Sequence, residues 1–426
     1  MFKRYIGIIL SICVLTGILT ACGIPASLEE KFGNSKTKEE TTKERVMTFY
    51  HWDTENQELY RSLAQTYMET KKGLTIEVTA VDYDSYVETW LQSVTDKKIA
   101  DVFAVPAGTD LEHFSGSKKL ADLTKKDMTP ESYDKRLLQC GMANQKLWAV
   151  PINTNVPVVF YRQSYYDALG LALPLTSADF FMNCDILKEN QINPFAFFVN
   201  EEGYFETMDF AEGIIANGYH PNTQIEDAVF DKKAETMTLE LYDVAGVAHQ
   251  MFSVEYFPGK ESAPKEHNAL LEHFAQGTYA MVPGEIGDIT KIKKLLESND
   301  FDYFLMPGAG ATHTGVLKAE MMLGISKDSD LINDAEGFIK YLLSDEVQKL
   351  ICEQTFTIPV IKNVQLENEM LNKMQQQLTT ADESFVSFFQ RITNSERQMC
   401  MEKLDIIFQN EYDGLHVFMQ QWKDEL

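Results

Sequence analysis

The first candidates for chemistry are polar side chains set between prolines. In Lys146–Gln163, KLWAVPINTNVPVVFYRQ, the residues Asn153, Thr154 and Asn155 lie between Pro151 and Pro157. Proline offers no N–H to a ladder, so each of the two belongs at a strand start, an edge or a bend. A chain crossing from one sheet to another would leave the polar trio bare of partners, facing a cleft. A carboxamide both donates and accepts hydrogen bonds, which holds a polar molecule without transforming it. The plain alternative is an ordinary strand with a kinked entry. Trp52 and Asp53 form a second candidate pair, and Glu285 a third position, each at the end of an apolar strand.

Covalent chemistry finds less support. Paired carboxylates such as Glu201 and Glu202 occur in any acid-rich chain, and no pair is set apart as glycoside hydrolysis would need. The eight histidines include no HExxH, and there is no GxSxG or P-loop. No metal and no cofactor are expected.

The elements that must position these groups read as α/β. Val46–Tyr50, Leu74–Val81 and Ala100–Val105 are strands, separated by helical spacing in Glu58–Thr70 and Tyr86–Val94. Strand–helix–strand at this interval argues for a parallel sheet. In such a sheet ligands sit beyond the carboxyl ends of the strands, where Trp52 and Asp53 lie. After the crossover, Thr176-Ser177-Ala178-Asp179 opens a helix through Leu187, Asn193–Val199 is a strand, and Met208–Ala216, Glu235–Phe252 and His267–Gln276 are helices. Thr278–Pro283, Tyr303–Met306 and Met321–Ile325 are strands, Ile332–Leu343 and Glu346–Gln354 are helices, and the tail from Leu366 is mostly amphipathic helix.

With 426 residues the chain is too long for one core and suits two domains or a lobed body. A formal charge of −26 argues against a nucleic-acid groove, since phosphates need Lys and Arg partners. Lys3 and Arg4 precede the apolar run Tyr5–Leu19, too short for a comfortable membrane span, and Leu19-Thr20-Ala21-Cys22 resembles a bacterial lipobox. Residues 1–21 are then a lipoprotein signal peptide, and the Cys22 thiol carries the lipid that tethers the body outside the cytoplasmic membrane. The alternative is an uncleaved anchor helix. Residues 22–44, rich in Ser, Thr, Lys and Glu, read as a disordered tether. Cys140, Cys184, Cys352 and Cys400 show no CxxC pair; buried thiols are expected, with a single bridge left open. The closing Lys423-Asp424-Glu425-Leu426 matches an ER-retrieval signal in letters but reads here as the last turn of a helix.

Several landmarks, taken in order, resemble the extracellular solute-binding proteins of ABC importers, carbohydrate type, in their Gram-positive lipoprotein form. Phe274-x-x-Gly277-Thr278-Tyr279-Ala280-Met281 resembles the family's F-x-x-G-x-x-A-M segment. Ser344 with Glu346, Gln348 and Pro359 resembles its S-x-E-x-Q…P ending, and Leu147–Tyr161 its Y-G-x-P…Y-N-K strand. Pro174-x-Thr176-x-x-Asp179 is similar to P-x-T-W-x-E, with Ser177 and Asp179 in place of Trp and Glu, and Arg162 replaces the Asn of Y-N-K. Glu285-Ile286 stands where many members place a sugar-stacking Trp.

The resemblance implies a two-lobed periplasmic-binding-protein-like (class II) α/β fold hinged on crossover segments near Asn155, Gly310 and Pro359. Lobe 1 would take 45–156 and 312–358, and lobe 2 would take 157–311 and 359–426. It implies a monomer that captures an oligosaccharide or related solute and delivers it to ABC transporter permease subunits. The ligand contacts implied are Asn155, at the position of a carboxylate in the maltose-binding branch, and Glu202 with Tyr204 after a second-lobe strand, beside Trp52, Asp53, Asn153 and Glu285. The readings from other classes are an extracytoplasmic glycan-processing enzyme, and a sensor subunit of the same fold without a permease.

Overall fold

The structure is a computed structural model that describes residues 44–198, 209, 256, 263–296, 298–307, 313–381, 383–387, 390 and 391. Expectations on Cys22, Glu202, Tyr204, Gly310, Cys400, the helices Met208–Ala216 and Glu235–Phe252, and the chain end lie outside the described residues, save for Asp209 and its helical backbone.

The alternation of Met47, Phe49 and His51 buries one face of β1 (Arg45–His51). In α1 (Gln57–Glu69), Leu59, Tyr60, Leu63, Ala64 and Tyr67 fall at helical spacing on the buried side. There follow β2 (Leu74–Ala80), α2 (Tyr83–Thr95), β3 (Val102–Val105), β4 (Ala149–Asn155) and β5 (Pro157–Tyr161). Helix α3 (Ser177–Glu189) starts at the expected capping box. Thr176 Oγ1 accepts the Asp179 N–H at 3.1 Å, and the Asp179 carboxylate accepts the Thr176 N–H at 3.0 Å. Next come β6 (Asn193–Phe195), α4 (His267–Ala275), β7 (Tyr279–Glu285), β8 (Asp302–Phe304), β9 (Met306–Pro307) and β10 (His313–Ile325). The described chain then adds α5 (Ile332–Leu342), α6 (Asp345–Thr355), α7 (Glu369–Thr380) and β11 (Glu383–Val386). Gly277 turns α4 into β7 at φ +78°, a conformation that costs glycine nothing.

Two sheets result. The larger has the order β9-β10-β3-β1-β2, with β4 and β11 also paired to β10; β1 lies parallel to β2 and β3, while β10 runs antiparallel to β3 and β4. The smaller has the order β8-β5-β7-β6. Strand β4 belongs to the first and β5 to the second, so the stretch 146–163 does cross between sheets, with Val156 as the single residue between the strands. A second crossing falls between β8 and β9, at Leu305. Ile358 bridges back to Thr154 through two backbone hydrogen bonds of 2.8 Å.

Two elements differ from the reading of the sequence. Strand β10 spans thirteen residues and not only Met321–Ile325; Lys318 and Glu320 interrupt its apolar pattern because one face of its middle is polar. The tail from Leu366 holds a strand as well as a helix: β11 lies parallel to Thr314–Leu317 of the larger sheet. Cys140, Cys184 and Cys352 are free and buried, and burial pushes each thiol up. Among the described residues no helix is long and apolar enough to cross a membrane, and no group of side chains is arranged to hold a metal.

Candidate functional site

The crossing at Val156 fixes where Asn155 points. Side chains alternate along β4, so Asn153 and Asn155 share a face opposite Thr154. Asn155 Oδ1 accepts the Val156 N–H at 3.0 Å and the Gly287 N–H at 3.3 Å. That orients its Nδ2 outward, where it donates to Glu285 Oε2 at 2.6 Å and to Glu320 Oε2 at 3.0 Å. One amide nitrogen therefore joins a carboxylate at the end of β7, in the smaller sheet, to one on β10, in the larger.

Lys318 lies two residues from Glu320 on the same face of β10. Its Nζ is 2.7 Å from Glu285 Oε1 and 2.9 Å from Asp209 Oδ2, and Ser387 Oγ donates to Asp209 Oδ1 at 2.5 Å. Burial opposes the Lys318 charge, but the Asp209 and Glu285 carboxylates outweigh it and hold its pKa well above the ordinary lysine value. Glu320 has no such counter-ion of its own. Glu320 is exposed to solvent, although protein atoms surround its carboxylate. Desolvation and the Glu285 charge raise its carboxyl to about 7, against the lowering pull of Asn155 and Lys318.

Asp53 also bears on this group, adding its field to Glu320 from the end of β1. Burial raises its own carboxyl, although Asn56 donates to it from both the backbone, at 3.1 Å, and the side chain. Behind it, Tyr60 Oη has no hydrogen-bond partner and feels both Asp53 and Glu320. Asp288 steadies the end of β7, accepting the Glu285 N–H at 2.9 Å while His267 Nε2 lies 3.0 Å away. Desolvation works against the Asp288 charge, but His267 and Lys291 hold its carboxyl down at about 2.

The sequence-expected residues divide accordingly. Asn155, Glu285 and Asp53 gather around Glu320. Trp52 is 8% exposed, its ring packed edge-on against Tyr83 and Tyr86. Asn153 is 1% exposed and commits both polar atoms to the hinge: Oδ1 accepts Met321 N at 3.0 Å, where β10 slips register against β4, and Nδ2 donates to Thr357 Oγ1 at 3.2 Å. Three participants went unread: Lys318, Glu320 and Asp209. The signal for the first two was available, because two charges at i and i+2 inside Val316–Ile325 mark one polar face on an otherwise buried strand. Asp209 joins through long-range folding and left no local mark.

What this arrangement can do is accept and donate hydrogen bonds in several directions at the junction of two sheets. Residues 62–378 match the family model described as bacterial extracellular solute-binding protein. A multiple sugar-binding protein of Streptococcus mutans is 19% identical over 428 residues, covering 96% of this chain and 98% of the relative. The sugar-binding protein MalE of Xanthomonas citri superimposes with a TM-score of 0.69 at 15% identity, over 89% of this chain and 96% of that one. The apo form of RafE from Streptococcus pneumoniae gives 0.68 at 15% identity, over 90% and 98%. At such identities the likeness speaks to the fold, which is the two-lobed α/β fold of periplasmic binding proteins. The match over most of the chain carries the family, and this protein belongs to the bacterial extracellular solute-binding proteins.

Proposed function

We propose that this protein captures a carbohydrate, an oligosaccharide or a related polyhydroxylated solute, outside the cytoplasmic membrane and delivers it to the permease of an ABC transporter. The observation that carries the reading is the Asn155–Glu285–Glu320 junction. It presents carboxylate and amide groups from both sheets around one point, as the edge of a sugar ring requires. The sugar-binding names of the relatives support the ligand class. Asp53 adds an acceptor from the end of β1, and Glu202 and Tyr204 are proposed to complete the site as acceptor and ring platform. Trp52 is assigned the wall behind Asp53, and Asn153 the pin of the hinge.

A solute touching both lobes is held best when they are closed, so binding shifts the open–closed equilibrium toward closed. The division into lobes at Val156 is part of this proposal, as is a third strap at Ile358, with β11 counted with the larger sheet. Anchoring through a lipid on Cys22, with residues 22–44 as the tether, is proposed from the lipobox.

One observation favours an enzyme: two neighbouring carboxylates, one with a raised pKa, offer the acid and nucleophile types that glycoside hydrolysis uses. Against it, Lys318 and Asn155 already engage both oxygens of Glu285. Incubating the soluble body with a panel of oligosaccharides separates the readings. Recovery of unaltered saccharide with a raised melting temperature supports capture. Product formation overturns it in favour of the enzyme, and unaltered saccharide without any thermal shift overturns both.

A further inference from the structure

Behind the straps, on the face of β4 opposite Asn155, lies a cavity of about 690 Å³ that the solute site does not use. Its volume is that of a small-molecule site. Thr154 lines it, is 2% exposed, and leaves its Oγ1 without a hydrogen-bond partner. A buried hydroxyl left unpaired is costly, and since Oγ1 has almost no surface open to the cavity, an occupant reaches it only if the side chain turns.

The walls state what would fit. Asp134 and Arg136 neutralise each other, with Arg136 Nη2 2.6 Å from Asp134 Oδ2, and Arg136 Nη1 also bonds the Ser384 carbonyl. Among the remaining lining residues Lys362 alone is charged, and it is exposed. Gln375 is engaged by the Leu366 N–H and the Val364 carbonyl, and Gln376 Nε2 by Asn372, so the lining offers Gln376 Oε1 and Thr379 Oγ1 as acceptors beside aliphatic Leu317, Ile358 and Leu378. Such a lining suits hydroxyls at one edge and C–H faces at another, and gives an ion little to pair with.

The cavity also straddles the hinge. Leu317 and Ser384 come from β10 and β11 of the larger sheet, whereas α7 is tied to the smaller sheet. Lys373 Nζ bonds both oxygens of Asp302 at 2.7 Å, and Tyr303 Oη donates to the Met370 carbonyl at 2.5 Å. Thr154, two residues before the crossing at Val156, and Ile358 are hydrogen-bonded to each other. Any rotation of one lobe against the other reshapes this space.

We propose that the cavity is a second ligand site, for a neutral, hydroxyl-bearing molecule of mono- or disaccharide size, whose occupant sets the affinity of the cleft in front by holding the hinge. The coupling is reciprocal, because each ligand biases the same equilibrium.

The test titrates glucose, myo-inositol, sucrose and maltose at millimolar concentration into the wild type and three variants. Thr154→Val keeps the strand and the shape but removes the hydroxyl. Thr379→Trp, at an exposed lining position, fills the mouth. Asn155→Ala disables the front. The expected result is a probe whose binding both rear variants weaken by about tenfold and Asn155→Ala leaves intact. With that probe saturating, the affinity of a front-site oligosaccharide shifts. No binding by any probe, loss confined to Asn155→Ala, or indifference to the rear variants overturns the site. An unshifted front affinity overturns the coupling. Rear binding is read without any front ligand, so its failure stays distinct from failure of the transport reading.

Discussion

Replacing Lys318 by Met probes the charged core of the hinge. In the wild type Lys318 makes two charge-assisted contacts, to Glu285 at 2.7 Å and Asp209 at 2.9 Å. Asp209, with 3% of its side chain exposed, would keep only Ser387, and Glu285 only Asn155. Hydrogen bonds to charged groups contribute about 1.5–3 kcal/mol each, and removing one partner of a buried pair costs about 3–5 kcal/mol. Both routes lead to a loss of about 4 kcal/mol at neutral pH. Urea unfolding of wild type and Lys318→Met at pH 8 measures this, with the double variant Lys318→Met, Asp209→Asn expected to recover part of the loss. A loss under about 1 kcal/mol would refute the claim that Lys318 holds buried charge together.

Solute affinity should itself depend on pH. If hydroxyls donate to ionised Glu320, whose carboxyl titrates near 7, affinity falls as pH drops from 8 toward 6, by about tenfold at one unit below that value. Glu320→Gln should abolish the slope, and a slope that persists in that variant shows another group titrating. His51 is fully buried between Phe49 and Tyr60 with neither ring nitrogen bonded, and desolvation, aided by Arg61, lowers its pKa to about 4. Its folded pKa lies below its unfolded value, so stability falls as pH drops from 6.5 toward 4, by about 3 kcal/mol. His51→Phe should flatten that acid limb in thermal melts and gain about 1 kcal/mol at pH 7; an unchanged limb places the titration elsewhere.

The parts of the fold written in short periodic runs were legible. The end of β1, the crossing at Val156 and the cap at Thr176 each follow from local rules about strand ends, proline and helix starts. The middle of β10 was missed, because Lys318 and Glu320 break the apolar run that marks Met321–Ile325, although their i, i+2 spacing fits one polar face of a longer strand. Asn153 and Asn155 look alike in sequence and share a face, yet the register slip of β10 claims one for the backbone and leaves the other facing Glu285 and Glu320. The ligand contact assigned to Trp52 had no way to foresee Tyr83 and Tyr86, which reach it from α2.

The central claim is that Asn155 sits at the point where two lobes grip a carbohydrate. Isothermal titration of an oligosaccharide library into wild type and Asn155→Ala tests it most directly. The account predicts at least one saccharide bound by the wild type and weakened in Asn155→Ala by about 1–3 kcal/mol, the cost of leaving Glu285 and Glu320 without their shared donor. Equal affinity in the two proteins, or no heat from any saccharide, would contradict it.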